Sequence, residues 1–136
     1  NSMEPCDWFF AAPGDMPAIS AATYRKLRKK AEGSSAKVIF PVLDGYRKHP
    51  PLISWSCRND ILQFQGKGLR ELWKEYAGQI QEVPLDDPGC AMDVDDQADY
   101  QNVCLYMRRE CAAGKVIRRI FAEDSEDFPE SLRGFI

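Results

Sequence analysis

Trp8, Phe9, Phe10, Ala11 and Ala12 follow one another without a polar break, and Pro13-Gly14 cuts the run off. A strand made from them carries apolar side chains on both faces. It must be covered on both, as strands in the middle of a parallel sheet are. Val38, Ile39 and Phe40, introduced by Lys37, read the same way, and residues 80–85 supply a further strand. A central strand so close to Asn1 lacks the neighbours that normally precede it. A segment upstream of Asn1 is therefore expected, unless Met3 is the true start.

Helical patterns separate these strands. Ser20 is a suitable N-cap, with Ile19 and Tyr24 at staple spacing around it. Tyr24, Leu27 and Ala31 then form an apolar stripe, Arg25, Lys26, Arg28, Lys29 and Lys30 face solvent, and Gly33 stops the helix. Residues 43–51 read as a loop, 56–64 as a short helix and Gly66-Lys67-Gly68 as a glycine loop. Residues 69–77 form a second helix ended by Gly78, and 86–89 a turn. Residues 90–95 lead into the most regular helix, with Tyr100, Val103, Cys104, Met107 and Cys111 at helical spacing. Asp96 is its cap, with Asp99 three residues on, and Gly114 ends it. Ile117, Ile120 and Phe121 are expected to pack a final helix against the sheet. Alternating strands and helices predict an α/β fold, a three-layer, doubly wound and mainly parallel sheet with helices on both faces. Residues 1–136 read as a single domain.

The chain is 44% hydrophobic and 29% charged, which excludes a disordered chain and fits one globular domain. Eighteen Lys and Arg against 21 Asp and Glu leave a net charge of −3, which speaks against a nucleic-acid-binding footprint. No apolar run approaches the ~20 residues of a membrane span and no secretory signal is visible, so a cytoplasmic location is expected. The five cysteines are odd in number and lack CxxC spacing, and His49 is the only histidine. A disulfide scaffold, a zinc knuckle and a two-histidine metal site are thereby disfavoured. Carboxylates are plentiful, and they suit hard cations such as Mg²⁺.

In a doubly wound sheet, ligands bind beyond the carboxyl ends of the strands. Asp15 follows the first strand, and Asp93 and Asp95 are expected at the end of the last, projecting from one face of an extended segment. Carboxylates gathered there repel one another unless a cation joins them, and Mg²⁺ with substrate phosphates is the natural partner. The plainer alternative is that Asp15 is a turn residue, Asp95 or Asp96 caps a helix, His49 orders a proline loop and Arg70 faces solvent.

Four motifs occur in order: Gly14-Asp15-Met16-Pro17, His49-Pro50-Pro51-Leu52, Gly66-Lys67-Gly68-Leu69-Arg70, and Asp93-Val94-Asp95 with Asp99-Tyr100. Together they resemble the molybdenum-cofactor nucleotidyltransferases, and more closely their molybdopterin cytidylyltransferase-like branch. The resemblance covers residues 7–105; residues 106–136 are read as a C-terminal helical extension. It implies transfer of a nucleoside monophosphate from an NTP, CTP favoured, to the phosphate of a molybdopterin-type acceptor, with release of pyrophosphate. It also implies Asp15 and Asp93 as catalytic residues, with Asp15, Asp93 and Asp95 as Mg²⁺ ligands. Gly14, Pro17, His49, Pro50, Gly66, Gly68 and Arg70 would bind substrate, and a molybdoenzyme would receive the cofactor.

Lys48 stands where the family has glycine, and Asp96-Gln97-Ala98 where it has Thr-Pro-Glu. The family's glycine-rich nucleotide loop belongs before residue 1, so this chain alone is expected not to turn over. Two other functions remain open: a non-catalytic cofactor-binding module for molybdenum hydroxylases, and a sugar-phosphate nucleotidyltransferase.

Overall fold

A computed structural model describes residues 6–113 of the chain. Strand β1 (Trp8–Phe10) leads to helix α1 (Ala21–Ala31), then to β2 (Val38–Leu43), β3 (Tyr46–Arg47) and β4 (Leu52–Ser54). A 3₁₀ turn over Trp55–Cys57 opens into α2 (Arg58–Gln63), followed by α3 (Leu69–Glu75) and β5 (Ile80–Pro84). A second 3₁₀ turn, Pro88–Ala91, precedes α4 (Gln97–Ala112). The helix boundaries follow local chemistry. The Ser20 side chain accepts from the Thr23 N–H at the start of α1, and Gly33 takes φ +72° just past its end. Asp96 and Asp99 form a reciprocal capping box at the start of α4.

The sheet is mixed. β2 is its centre: β5 pairs with it in parallel along residues 38–42, and β3 and β4 run antiparallel along its other edge. β4 in turn pairs antiparallel with β1. β1, β2 and β5 therefore point the same way, but β4 lies between the first two, and the mainly parallel sheet read from the sequence is not what pairs here. The cause is the stretch 43–51. Asp44 and Gly45 both take positive φ, 52° and 81°, the pair of conformations a tight two-residue hairpin requires. The chain folds back on β2 instead of crossing over it.

The returning strand is broken in a specific way. Val42 faces Arg47 at one end of the hairpin, whereas Ile39 faces Leu52 at the other. The returning chain thus holds two more residues than β2 over the same length, taken up where His49, Pro50 and Pro51 bulge out. Neither proline has an N–H for the ladder. Both are buried, His49 is exposed, and the His49–Pro50 bond is cis.

Alternation along the strands gives the sheet two apolar faces. Val38, Phe40 and Ile53 pack with Leu72 of α3, with Tyr76 at its C-terminal cap, and with Phe9, Ile61 and Ile80. Ile39, Leu52 and Val83 pack with Leu27 and Ala31 of α1, joined by Trp8 and Phe10. The expected stripe of α1 is largely seen, with Thr23 buried and Tyr24 set edge-on to Phe10 at 5.0 Å. The stripe of α4 is covered only in part, with Cys104 and Met107 half-buried and Cys111 exposed. Val103 is buried, but Tyr100 remains 55% exposed. Ile117, Ile120 and Phe121 lie outside the described residues. Among those described, no helix is long and apolar enough to cross a membrane.

Leu27 is fully buried and Leu62 on α2 is 63% exposed. Leu27→Ala is expected to lower stability by about 2–5 kcal/mol, and Leu62→Ala to stay within about 0.5 kcal/mol, in urea unfolding followed by circular dichroism.

Candidate active site

Two loops meet at the N-terminus of α1. One, following β1, carries Gly14, Asp15 and Pro17; the other, following β5, runs through Asp87 to Asp96. Three contacts join them. The buried Asp87 carboxylate accepts from the Ser20 N–H at 2.9 Å, the Thr23 hydroxyl at 2.5 Å and the Gly89 N–H at 3.0 Å. Gly89 sits against the backbone of Ala18, where a Cβ would stand 2.0 Å from the carbonyl oxygen, so only glycine fits. Finally, the Val94 N–H donates to the Asp15 carbonyl at 2.9 Å. The Gly14–Pro17 and Asp93–Asp95 motifs, far apart in sequence, are thereby held side by side.

Burial pushes the Asp87 carboxyl upward, but the hydrogen bonds from Thr23, Ser20 and Gly89 outweigh it and leave the group below its ordinary value. The thiol of Cys90 is pushed up to about 12, by burial first and then by the Asp87 charge. A thiol held that high stays protonated and is a poor nucleophile. Asp87 went unnoticed in the sequence because Asp86-Asp87-Pro88-Gly89 reads as an ordinary turn. The signal available was a carboxylate immediately before a proline that opens a helical turn, which is a capping position.

Asp15, Asp93 and Asp95 are all exposed. Asp93 and Asp95 do not extend a strand, since β5 ends at Pro84 and the Pro88–Ala91 turn intervenes. The Asp95 N–H donates to the Asp99 carboxylate at 3.1 Å, which ties Asp95 into the start of α4, and Asp96 is the cap itself. Among the described residues no group of three or more His, Cys, Asp or Glu side chains could hold a metal ion. The donor set still suits Mg²⁺ in one form. Two exposed carboxylates on adjoining loops leave the remaining positions for phosphate oxygens and water, the arrangement Mg²⁺ commonly takes.

The other predicted residues gather elsewhere. His49, Gly68 and Arg70 line an open groove of about 1130 Å³ between the β2–β3 hairpin, the loop after it and α3. Pro50 and Gly66 are not in its lining. Pro50 is buried, and at Gly66 a Cβ would press on the outer ends of the Phe64 and Glu71 side chains. Ala11, where β1 runs toward Asp15, also lines the groove. Sequence reading missed Lys48, Trp73 and Lys74, which line it too. Trp73 falls within the helix expected over residues 69–77, and only the fold brings it against Phe40 of β2.

A family model described as MobA-like NTP transferase domain matches residues 1–81. The match takes in Asp15, the His49 loop and the Gly66–Arg70 loop, and it stops at the start of β5. A search of curated proteins found no match.

Asp87→Asn replaces a charged acceptor of four hydrogen bonds, from Ser20, Thr23, Gly89 and the Cys90 thiol, and is expected to destabilise the fold by about 2–3 kcal/mol at neutral pH. The charge contributes fully above the unfolded value of 3.8 and is lost as pH falls through the lower folded value. The stability gap between wild type and variant, measured by urea unfolding, should be flat from pH 7 to about pH 5 and narrow below pH 4. A gap that widens with acid would contradict this assignment.

Proposed function

The chain belongs to the MobA-like NTP transferase family, and on that premise we propose that the protein moves a nucleoside monophosphate from an NTP to a molybdopterin-type acceptor. CTP is the favoured donor. An oxygen of the acceptor phosphate attacks the α-phosphorus, the bond to the bridging β-oxygen breaks, and pyrophosphate leaves with the electron pair. The nucleophile is the acceptor's own phosphate, so the reaction asks the protein for position and charge rather than for a base. A doubly wound, mainly parallel sheet in the complete domain, a cytoplasmic setting and delivery to a molybdoenzyme belong to the same reading.

The observation that carries it is the hydrogen bond from the Val94 N–H to the Asp15 carbonyl. It sets the loops of Asp15 and Asp93 beside each other, with both carboxylates facing solvent, where a triphosphate can reach them. In this role Asp15 and Asp93 would hold Mg²⁺, with Asp95 at the margin of the site. When bound, the ion neutralises charge that develops around the α-phosphate. Gly14 and Pro17 shape the loop that carries Asp15. The acceptor would lie in the groove, where His49 and Arg70 meet its polar groups and Gly68 lets the backbone approach.

Asp15→Asn removes the ligand charge while keeping side-chain volume. In the complete protein, CTP-dependent transfer, followed as pyrophosphate release, is expected to fall about a hundredfold or more. The Mg²⁺ concentration for half-maximal rate should rise in parallel. Unchanged transfer would remove Asp15 from the metal site. Sugar phosphates that displace the pterin acceptor in competition would shift the reading to a sugar-phosphate nucleotidyltransferase.

A further inference from the structure

The charges around the groove do not balance. Arg47 is already satisfied, since its Nε donates to Glu82 at 2.6 Å and its guanidinium lies over the Phe40 ring at 5.2 Å. Lys48, Arg70 and Lys74 also line the cavity. Among the described residues, Arg47–Glu82 is the one ion pair; Lys48 lies over the Tyr46 ring at 6.0 Å, and none of these three cations has a carboxylate partner. Like charges sharing a cavity repel one another, and an anionic occupant relieves that repulsion. The cations come from different elements. Lys48 leads out of the hairpin into the His49 bulge, whereas Arg70 and Lys74 stand on α3.

Aromatic side chains, Phe40, Tyr46 and Trp73, line the same groove. Trp73 packs edge-on against Phe40, with ring centroids 6.1 Å apart at 77°, and tilts against Tyr76 at 6.1 Å. Tyr76 is itself fixed, donating its hydroxyl to Asp60 at 2.5 Å. The Trp73 ring thus has a set orientation before any ligand arrives, and a preset ring loses little entropy on stacking.

We propose that this groove takes a ligand with a flat body and two separated anionic groups. Trp73 is its platform, Arg70 and Lys74 receive one anion, and Lys48 receives the other. The assignment rests on the reading of the groove as the acceptor site, and it adds Lys48, Trp73 and Lys74 as positioning residues. Lys48 is the specificity element. Its charge favours acceptors with a second anion over those carrying a single phosphate, and Trp73 disfavours sugar phosphates, which have no flat face.

The test is calorimetric titration of the full chain with three simple probes: naphthalene-1,5-disulfonate, naphthalene-1-sulfonate and ethane-1,2-disulfonate. The disulfonate is expected to bind at least about tenfold more tightly than the monosulfonate, and ethane disulfonate more weakly than either. Lys48→Gln should bring the naphthalene disulfonate down to the affinity of the monosulfonate and leave the monosulfonate unchanged. Lys74→Gln should weaken both naphthalene probes. Trp73→Phe, which keeps a ring in the core, should weaken both in the same ratio. Equal affinity of the two naphthalene probes, or a preference that survives Lys48→Gln, overturns the proposal. Probe binding needs neither NTP nor metal, so its failure leaves the Asp15→Asn result standing. Conversely, selective probe binding with transfer unaffected by Asp15→Asn would sink the catalytic reading alone.

Discussion

One buried carboxylate holds the two halves of the candidate site together. Asp87 is 6% exposed, and placing a charge there is unfavourable unless hydrogen bonds replace its water. Ser20, Thr23 and Gly89 supply them. Two of these donors belong to the first turn of α1, whose positive dipole end favours an anion. The bond therefore does more than satisfy a polar group. It fixes where α1 begins relative to the loop after β5, brings Gly89 under the Ala18 carbonyl, and leaves Val94 within reach of Asp15. Each contact presupposes the one before it. A change at Asp87 would be felt at Asp15 even though the two side chains have different neighbours.

The second constraint is the hairpin at Asp44-Gly45, and it separates what could be read in the sequence from what could not. Helix ends were legible because their chemistry is local: Ser20 caps Thr23, Asp96 and Asp99 close a box, and Gly33 takes the conformation glycine favours. The apolar runs at Trp8–Phe10 and Val38–Phe40 were legible as two-faced strands, and both faces are indeed packed. Their pairing was not legible. Tyr46 and Arg47 are exposed and polar-edged, so they carry no apolar alternation, and the two prolines after His49 disguise the continuation into Leu52–Ser54. An Asp-Gly pair between apolar residues was the available hairpin signal. Given its weight, the antiparallel insertion between β1 and β2 would have followed.

Site residues divide along the same line. His49, Gly68 and Arg70 come together because the hairpin and α3 border the same groove, a relation that motif order alone implies only by resemblance. Gly66 and Pro50 belong to the same motifs but are not in the groove lining, one set against the Phe64 ring and the other buried within the bulge. A motif thus mixes residues that touch ligand with residues that let the loop exist. Lys48 and Trp73 illustrate the converse. Neither belongs to the shared pattern, and both line the cavity.

The charge pattern gives these parts a common logic. In a nucleotidyl transfer both reactants are anions, so the protein must draw together groups that repel. Asp15 and Asp93 cannot do this unaided, because their own charge repels a triphosphate. They are useful there only through a cation shared with the phosphates. The groove has the opposite sign, with Lys48, Arg70 and Lys74 uncompensated once Arg47 is paired to Glu82, and it attracts an anion directly. On the proposed reading, cation-mediated binding at one place and direct binding at another would let two polyanions be held on one small sheet without competing for the same charges.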